Sequence, residues 1–200
     1  MSAILAWAAV ALLATRLVLF VIIQVMPSEH SFVRSAFSDY AVGSTRTLTT
    51  AQTWLTGAAW AALAGAVAAF PPAWAERASS VLWLLALVVI FVVLPLAPTD
   101  LPGAPRTRRG VLHYALAIGW FAISYNLTGA FGRLADVRGP AAVASVMEVL
   151  HVIALVSLIA LVLSLVVPRL RTLTFGVSER VFLAAIGLFH LLAGKVLALA

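Results

Sequence analysis

Six apolar stretches of about membrane-spanning length constrain this chain more than any other feature. They run over about 3–26, 49–70, 79–97, 112–131, 142–167 and 180–199. At 1.5 Å per residue, about 20 residues cross roughly 30 Å of hydrocarbon, where a helix satisfies its own backbone. The stretches predict an all-α fold: a polytopic integral membrane protein with six transmembrane helices in one bundle over residues 1–200. Proline, lacking an N–H, punctuates the ends. Pro27, the Pro71–Pro72 pair, Pro98 and Pro168 follow spans, and Pro140 precedes one. Pro95 falls in the last turn of the third span, where a kink is expected. Ser178 reads as the N-cap of the sixth helix, with Glu179 beside its positive dipole end. The first stretch lacks a basic lead and exceeds a usual signal core, so it reads as a retained helix.

Charged residues make up only 10% of the chain and hydrophobic ones 64%, so water could not solvate its surface as it does a soluble domain with about 25% charge. The chain has no cysteine, which excludes disulfides, thiolate metal sites and cysteine nucleophiles. Its net charge of +6 does not point to nucleic acid. The arginines lie in short loops beside apolar segments, where they set topology and meet anionic head groups of membrane lipids. Arg34, Arg46, Arg106, Arg108, Arg109, Arg169, Arg171 and Arg180 flank the odd-numbered loops; Arg77, Arg133, Arg138 and Lys195 lie on the other side. Eight against four predicts odd loops in the cytoplasm and both termini outside. Gln52–Trp54 and Trp74 read as interfacial anchors. A stripe of small residues, Gly57, Ala61, Gly65 and Ala69, lets another helix approach closely, either within the bundle or across a homodimer seam through Gly57, Ala61 and Gly65.

Polar residues gather where the odd loops meet the spans: "SDYAVGS" over 38–44, "PTDLPG" over 98–103 with His113 downstream, and "GVSER" over 176–180. Ser38, Asp39, Tyr40, Thr99, Asp100, His113, Glu179 and Arg180 can therefore converge on one membrane face. Asp100 either caps a turn or pairs with Arg180. In an enzyme, Ser38 would attack an ester or phosphoester, with His113 as base and Asp100 as its orienter. Arg106, Arg108 and Arg109 form a basic patch at the head groups.

These three segments, in that order after the first, third and fifth helices, resemble the six-helix bacterial and archaeal membrane proteins of domain-of-unknown-function family 998. The resemblance spans nearly the whole chain, and "PTD" with its downstream histidine is its most specific part. Ala97, Leu101 and Glu179 stand where that family often has phenylalanine, proline and glutamine, and Ser44–Arg46 replaces its usual Pro-x-Gly turn. The resemblance implies a six-helix bundle in a bacterial inner membrane and carries no activity with it.

A second polar set, Arg16, Glu148, His151 and His190, lies deep within the spans. A charge there costs about 2.5–3.5 kcal/mol on insertion scales, so such groups are expected to face inward and pair. Glu148 and His151, three apart, share a helix face. Arg16 is the expected partner of Glu148, with Lys195 second. His151 and His190 are also remote candidates for haem ligation, although the paired histidines of multi-haem membrane cytochromes are missing. No metalloprotease, phosphate-loop or nucleophile-elbow motif occurs, and neither a metal nor a cofactor is expected. The expected function is binding or moving a small amphiphile or lipid, or serving as a membrane accessory protein, through the odd-loop site. The alternative is a lipid-head-group hydrolase or transferase built on Ser38, His113 and Asp100.

Overall fold

The computed structural model describes residues 2–71, 73–101 and 103–200; Pro72, part of the expected second-span stop, and Pro102 of the "PTDLPG" segment lie outside the described residues. Six helices account for the architecture: α1 (Ser2–Val25), α2 (Arg46–Ala68), α3 (Arg77–Val93), α4 (Arg108–Arg138), α5 (Ala141–Val166) and α6 (Pro168–Leu199). Two short 3₁₀ turns, Phe37–Ala41 and Leu94–Leu96, complete the set. The second contains Pro95 and tightens the end of α3, as a proline in a final turn should. By length and composition, α1, α3 with its 3₁₀ extension, α5 and α6 are apolar enough to cross a membrane. α2 is more polar, but Thr49, Gln52 and Thr56 are buried in the bundle. Each helix packs on its chain neighbour and α6 closes the ring against α1, with further contacts to α4 and α2.

Aromatic rings fill the centre. Trp60 meets Phe91 at 6.5 Å, Phe91 meets Trp120 edge-on at 5.2 Å, and Phe121 meets Phe182 at 5.0 Å. The outside is apolar too: on α5, Val149, Val152, Val156 and Ile159 are each at least half exposed. A soluble protein does not present such a face; a bilayer requires it.

Two expectations change. The fifth loop shrinks to Val167, because α6 begins at Pro168 instead of near residue 180. Proline suits the first helical position, where its missing N–H has no intrahelical partner. Residues 169–179, outside the apolar stretch, are helical, and Thr172 and Thr174 turn their hydroxyls back onto the carbonyls of Arg169 and Leu170. Ser178 is therefore buried inside a helix and is not a cap. Gln52 is not an interfacial anchor, since it is only 3% exposed, whereas Trp54 is 55% exposed. The small-residue stripe serves the chain's own packing: a methyl on Gly57 would stand 3.2 Å from Phe91 Cβ, and one on Gly65 3.0 Å from Leu5 Cδ1. Of the three residues expected to form a homodimer seam, only Ala61 is exposed.

Candidate functional site

The odd-loop end is built as two clamps. The first holds the α1–α2 connection against α6. The Asp39 carboxylate accepts the Ala36 amide at 2.9 Å and so starts the Phe37–Ala41 turn. The Tyr40 carbonyl accepts the Thr45 and Thr49 hydroxyls at 2.6 and 3.0 Å, tying that turn to the start of α2. Gly43 follows at φ +90°, a conformation that favours glycine.

α6 supplies the other half of this clamp. The Gly176 amide donates to the Val33 carbonyl at 2.9 Å, and a methyl there would stand 2.6–2.7 Å from the carbonyls of Phe32, Val33 and Ser35. Only a glycine allows that approach. Glu179 accepts the Phe37 amide at 2.6 Å. Arg180 donates to the Ser35 and Gly176 carbonyls, each at 2.9 Å, and to the Gln24 side chain. Its guanidinium also lies over the rings of Phe32 and Tyr40, at 4.8 and 5.3 Å. Burial pushes the Asp39 carboxyl above its ordinary range, and the Ala36 amide and the nearby charges of His30, Arg180 and His113 offset this only in part.

The second clamp closes the α3–α4 connection. Asp100 takes both donors of Thr107, the amide and the hydroxyl, each at 2.8 Å. Thr107 in turn caps α4 by accepting the Gly110 amide at 3.0 Å. A methyl on Gly110 would overlap the Asp100 carboxylate. The Thr107 hydrogen bonds, the backbone one foremost, hold the Asp100 carboxyl below its usual range. His113, one turn into α4, bonds through Nδ1 to the Ala97 carbonyl at 2.8 Å. A carbonyl only accepts, so Nδ1 carries the proton. Thr99 is buried between these partners in sequence, and Gly103 takes φ +87°.

Asp39, Tyr40, Glu179 and Arg180 thus come together, with His113 near Asp39. A Ser38–His113–Asp100 relay does not form. Asp100 and His113 spend their bonds on Thr107 and Ala97, and Ser38 makes no side-chain hydrogen bond among the described residues. Nor does Asp100 pair with Arg180. Arg106, Arg108 and Arg109 are exposed, as expected of a basic patch.

The deep polar set separates. Arg16 is 4% exposed and donates to the Leu183 carbonyl at 3.1 Å. It does not meet Glu148, which is exposed on α5, because α6 stands between α1 and α5. Neither Glu148 nor Lys195 has an ion-pair partner among the described residues. His190 donates from Nδ1 to the Ile186 carbonyl at 2.9 Å and sits among the rings of Trp60, Phe131 and Phe189 at 4.9–5.8 Å. Its Nε2 is buried among them without a hydrogen-bond partner among the described residues.

His151 lies on another face, in a closed circuit. The Thr128 hydroxyl donates its one proton to the Tyr125 carbonyl at 2.6 Å, so it must accept from His151 Nδ1 at 2.7 Å. His151 Nε2 bonds with the Tyr125 hydroxyl at 3.2 Å. With both nitrogens hydrogen-bonded, the imidazole ring is held in place and neither nitrogen is free for haem iron. The two histidines do not fit the group.

Beside this circuit, α4 and α5 separate around a cavity of about 270 Å³ near the even-loop end. Its α4 wall is Thr128, Gly129, Gly132, Arg133 and Asp136; α5 contributes Ala144, Met147, Glu148 and His151, and Phe189 of α6 closes the floor. A methyl on Gly132 would meet nothing within 4 Å. Asp136 and Glu148 face this space without a hydrogen-bond or ion-pair partner among the described residues. Arg133 at the rim bonds through Nε to Glu76 at 2.8 Å, and its Nη1 lies 3.5 Å from where a Gly129 methyl would be. Sequence reading missed this wall, although Tyr125, Thr128, Gly132 and Asp136 recur at helical spacing and mark one polar, glycine-containing face.

An apolar-surfaced bundle of six helices with its polar groups drawn inside defines a polytopic integral membrane protein. The chain belongs to the family described as protein of unknown function (DUF998), whose model matches residues 8–196. No curated protein and no solved structure matches it.

Proposed function

We propose that this protein binds an amphiphile, with the polar head in the α4–α5 cavity and the tail along the apolar outer face of α5. One observation carries the reading: the cavity places two partnerless carboxylates and a fixed histidine beside a lipid-facing helix. A carboxylate at that depth is costly unless a partner joins it. Pockets for small ligands typically combine apolar walls with a few convergent polar groups, and here Met147 and Phe189 supply the apolar part. The odd-loop residues hold two connections together, while Arg180 keeps its Nη2 without a hydrogen-bond partner among the described residues. On this reading the protein lies in a bacterial inner membrane with its odd loops cytoplasmic, so the cavity opens toward the outer leaflet.

A photoactivatable diacyl phospholipid, cross-linked in membranes, tests the reading. Adducts on the 125–136 and 144–151 peptides are expected. Adducts confined to the 28–45 and 97–107 connections would move the site back to the odd loops.

A further inference from the structure

Resting on that reading, we infer that the head group bound in the α4–α5 cavity is zwitterionic, a primary ammonium beside a phosphate, and belongs to a membrane aminophospholipid. Charge is unevenly spread in this chain: 13 basic residues face 7 acidic ones. Of the seven acids, Asp39, Asp100, Glu76 and Glu179 are engaged by hydrogen bonds within the protein, and Glu29 in the α1–α2 connection lies 3.8 Å from His30. Asp136 and Glu148 are not so engaged, and both line this one cavity from opposite walls.

An ammonium between them would give each carboxylate its missing partner, with three N–H donors to share. His151 already spends both ring nitrogens on Tyr125 and Thr128. It offers the head group a fixed polar wall. The phosphate finds its partner at the rim. Arg133 uses Nε on Glu76, leaving its two terminal nitrogens, and Nη1 lies over Gly129 on the cavity side. The same arginine also lines a neighbouring cavity of about 250 Å³ with Glu76 and Arg138. An anionic head without an amine would satisfy the arginines but set its charge against two carboxylates. The exposed valines of α5 and the lack of side chains at Gly129 and Gly132 leave the approach from the lipid side open.

The test is native mass spectrometry of the full chain, released from micelles containing equal phosphatidylethanolamine and phosphatidylglycerol. The ethanolamine lipid is expected to be retained at least several-fold over the glycerol lipid. The double variant Glu148→Gln, Asp136→Asn should bring the two to parity while still retaining lipid; both positions are exposed, so folding is not at stake. Equal retention by the native chain would overturn the amine inference and leave the cavity reading standing. Gly132→Leu, which fills open space, should reduce retention of both lipids; if it changes neither, the cavity reading itself fails. Displacement of the lipid by millimolar soluble phosphoethanolamine would overturn the membrane source of the head group.

Discussion

Glu179, eleven residues past the first residue of α6, accepts the backbone amide of Phe37, 142 positions earlier in the chain, at 2.6 Å. One carboxylate thereby fastens the α1–α2 connection to the last helix. The bond is partly buried, so its removal leaves the Phe37 amide short of a partner. A hydrogen bond to a charged group contributes about 1.5–3 kcal/mol, and a stranded buried partner costs a similar amount. Glu179→Ala should therefore lower the melting temperature in detergent and free the 28–45 connection for proteolysis. Glu179→Gln, whose amide oxygen still accepts from Phe37, should restore most of the loss. Equal damage from both would mean that the charge, and not the accepted bond, matters there.

Asp100 and Thr107 form a clamp with a defined pH sense. The folded carboxyl sits below its ordinary value of 3.8, so its contribution is fully present above about that pH. It is lost as pH falls through the lower, folded value. Hydrogen exchange at the Gly110 amide, which Thr107 caps, reads this directly. Protection should persist at neutral pH and collapse only in strong acid. Asp100→Asn can accept only one of the two Thr107 donors, so it should exchange faster already at neutral pH and lose the acid step. Asp39 carries the opposite sign: its folded value is raised, so acidification relieves the burial of its charge.

Arg16 and Glu148 should behave as independent residues. The guanidinium bonds the Leu183 carbonyl and packs against Gly187, while Glu148 lines the cavity on the far side of α6. Losses from Arg16→Leu and Glu148→Leu should add within about 0.5 kcal/mol in thermal or denaturant unfolding, as expected for distant sites. A double variant recovering more than that would show a coupling that the geometry does not contain.

Membrane orientation is open to a direct probe because the chain has no cysteine. Ala104→Cys and Val137→Cys lie at exposed positions on opposite ends of the bundle. In intact cells an impermeant maleimide should label Val137→Cys and spare Ala104→Cys. The reverse labelling would invert the protein and turn the α4–α5 cavity toward the cytoplasm.

Much of the fold was legible before any coordinates. The six helices and a disturbance at Pro95 follow from hydropathy and from proline's missing donor. The motif residues were legible as important, but not their role. "SDYAVG" and "GVSER" are joined as a clamp, because Gly176 and Glu179 bond backbone groups of another segment. Backbone carbonyls and amides leave no mark in a sequence, so such partners cannot be read from side-chain types.

What the chain determines by itself is its medium and its number of helices, since apolar length and the cost of unpaired backbone in hydrocarbon leave no other solution. Which helices touch, and therefore which polar groups meet, was decided by the tertiary packing. α6 stands between α1 and α5, so Arg16 and Glu148, natural partners by charge, are kept apart. α4 and α5 part at Gly129 and Gly132, so Asp136, Glu148 and His151, far apart in the chain, share one cavity. Attraction between two charges depends on their separation in space, and only the packed bundle sets that distance.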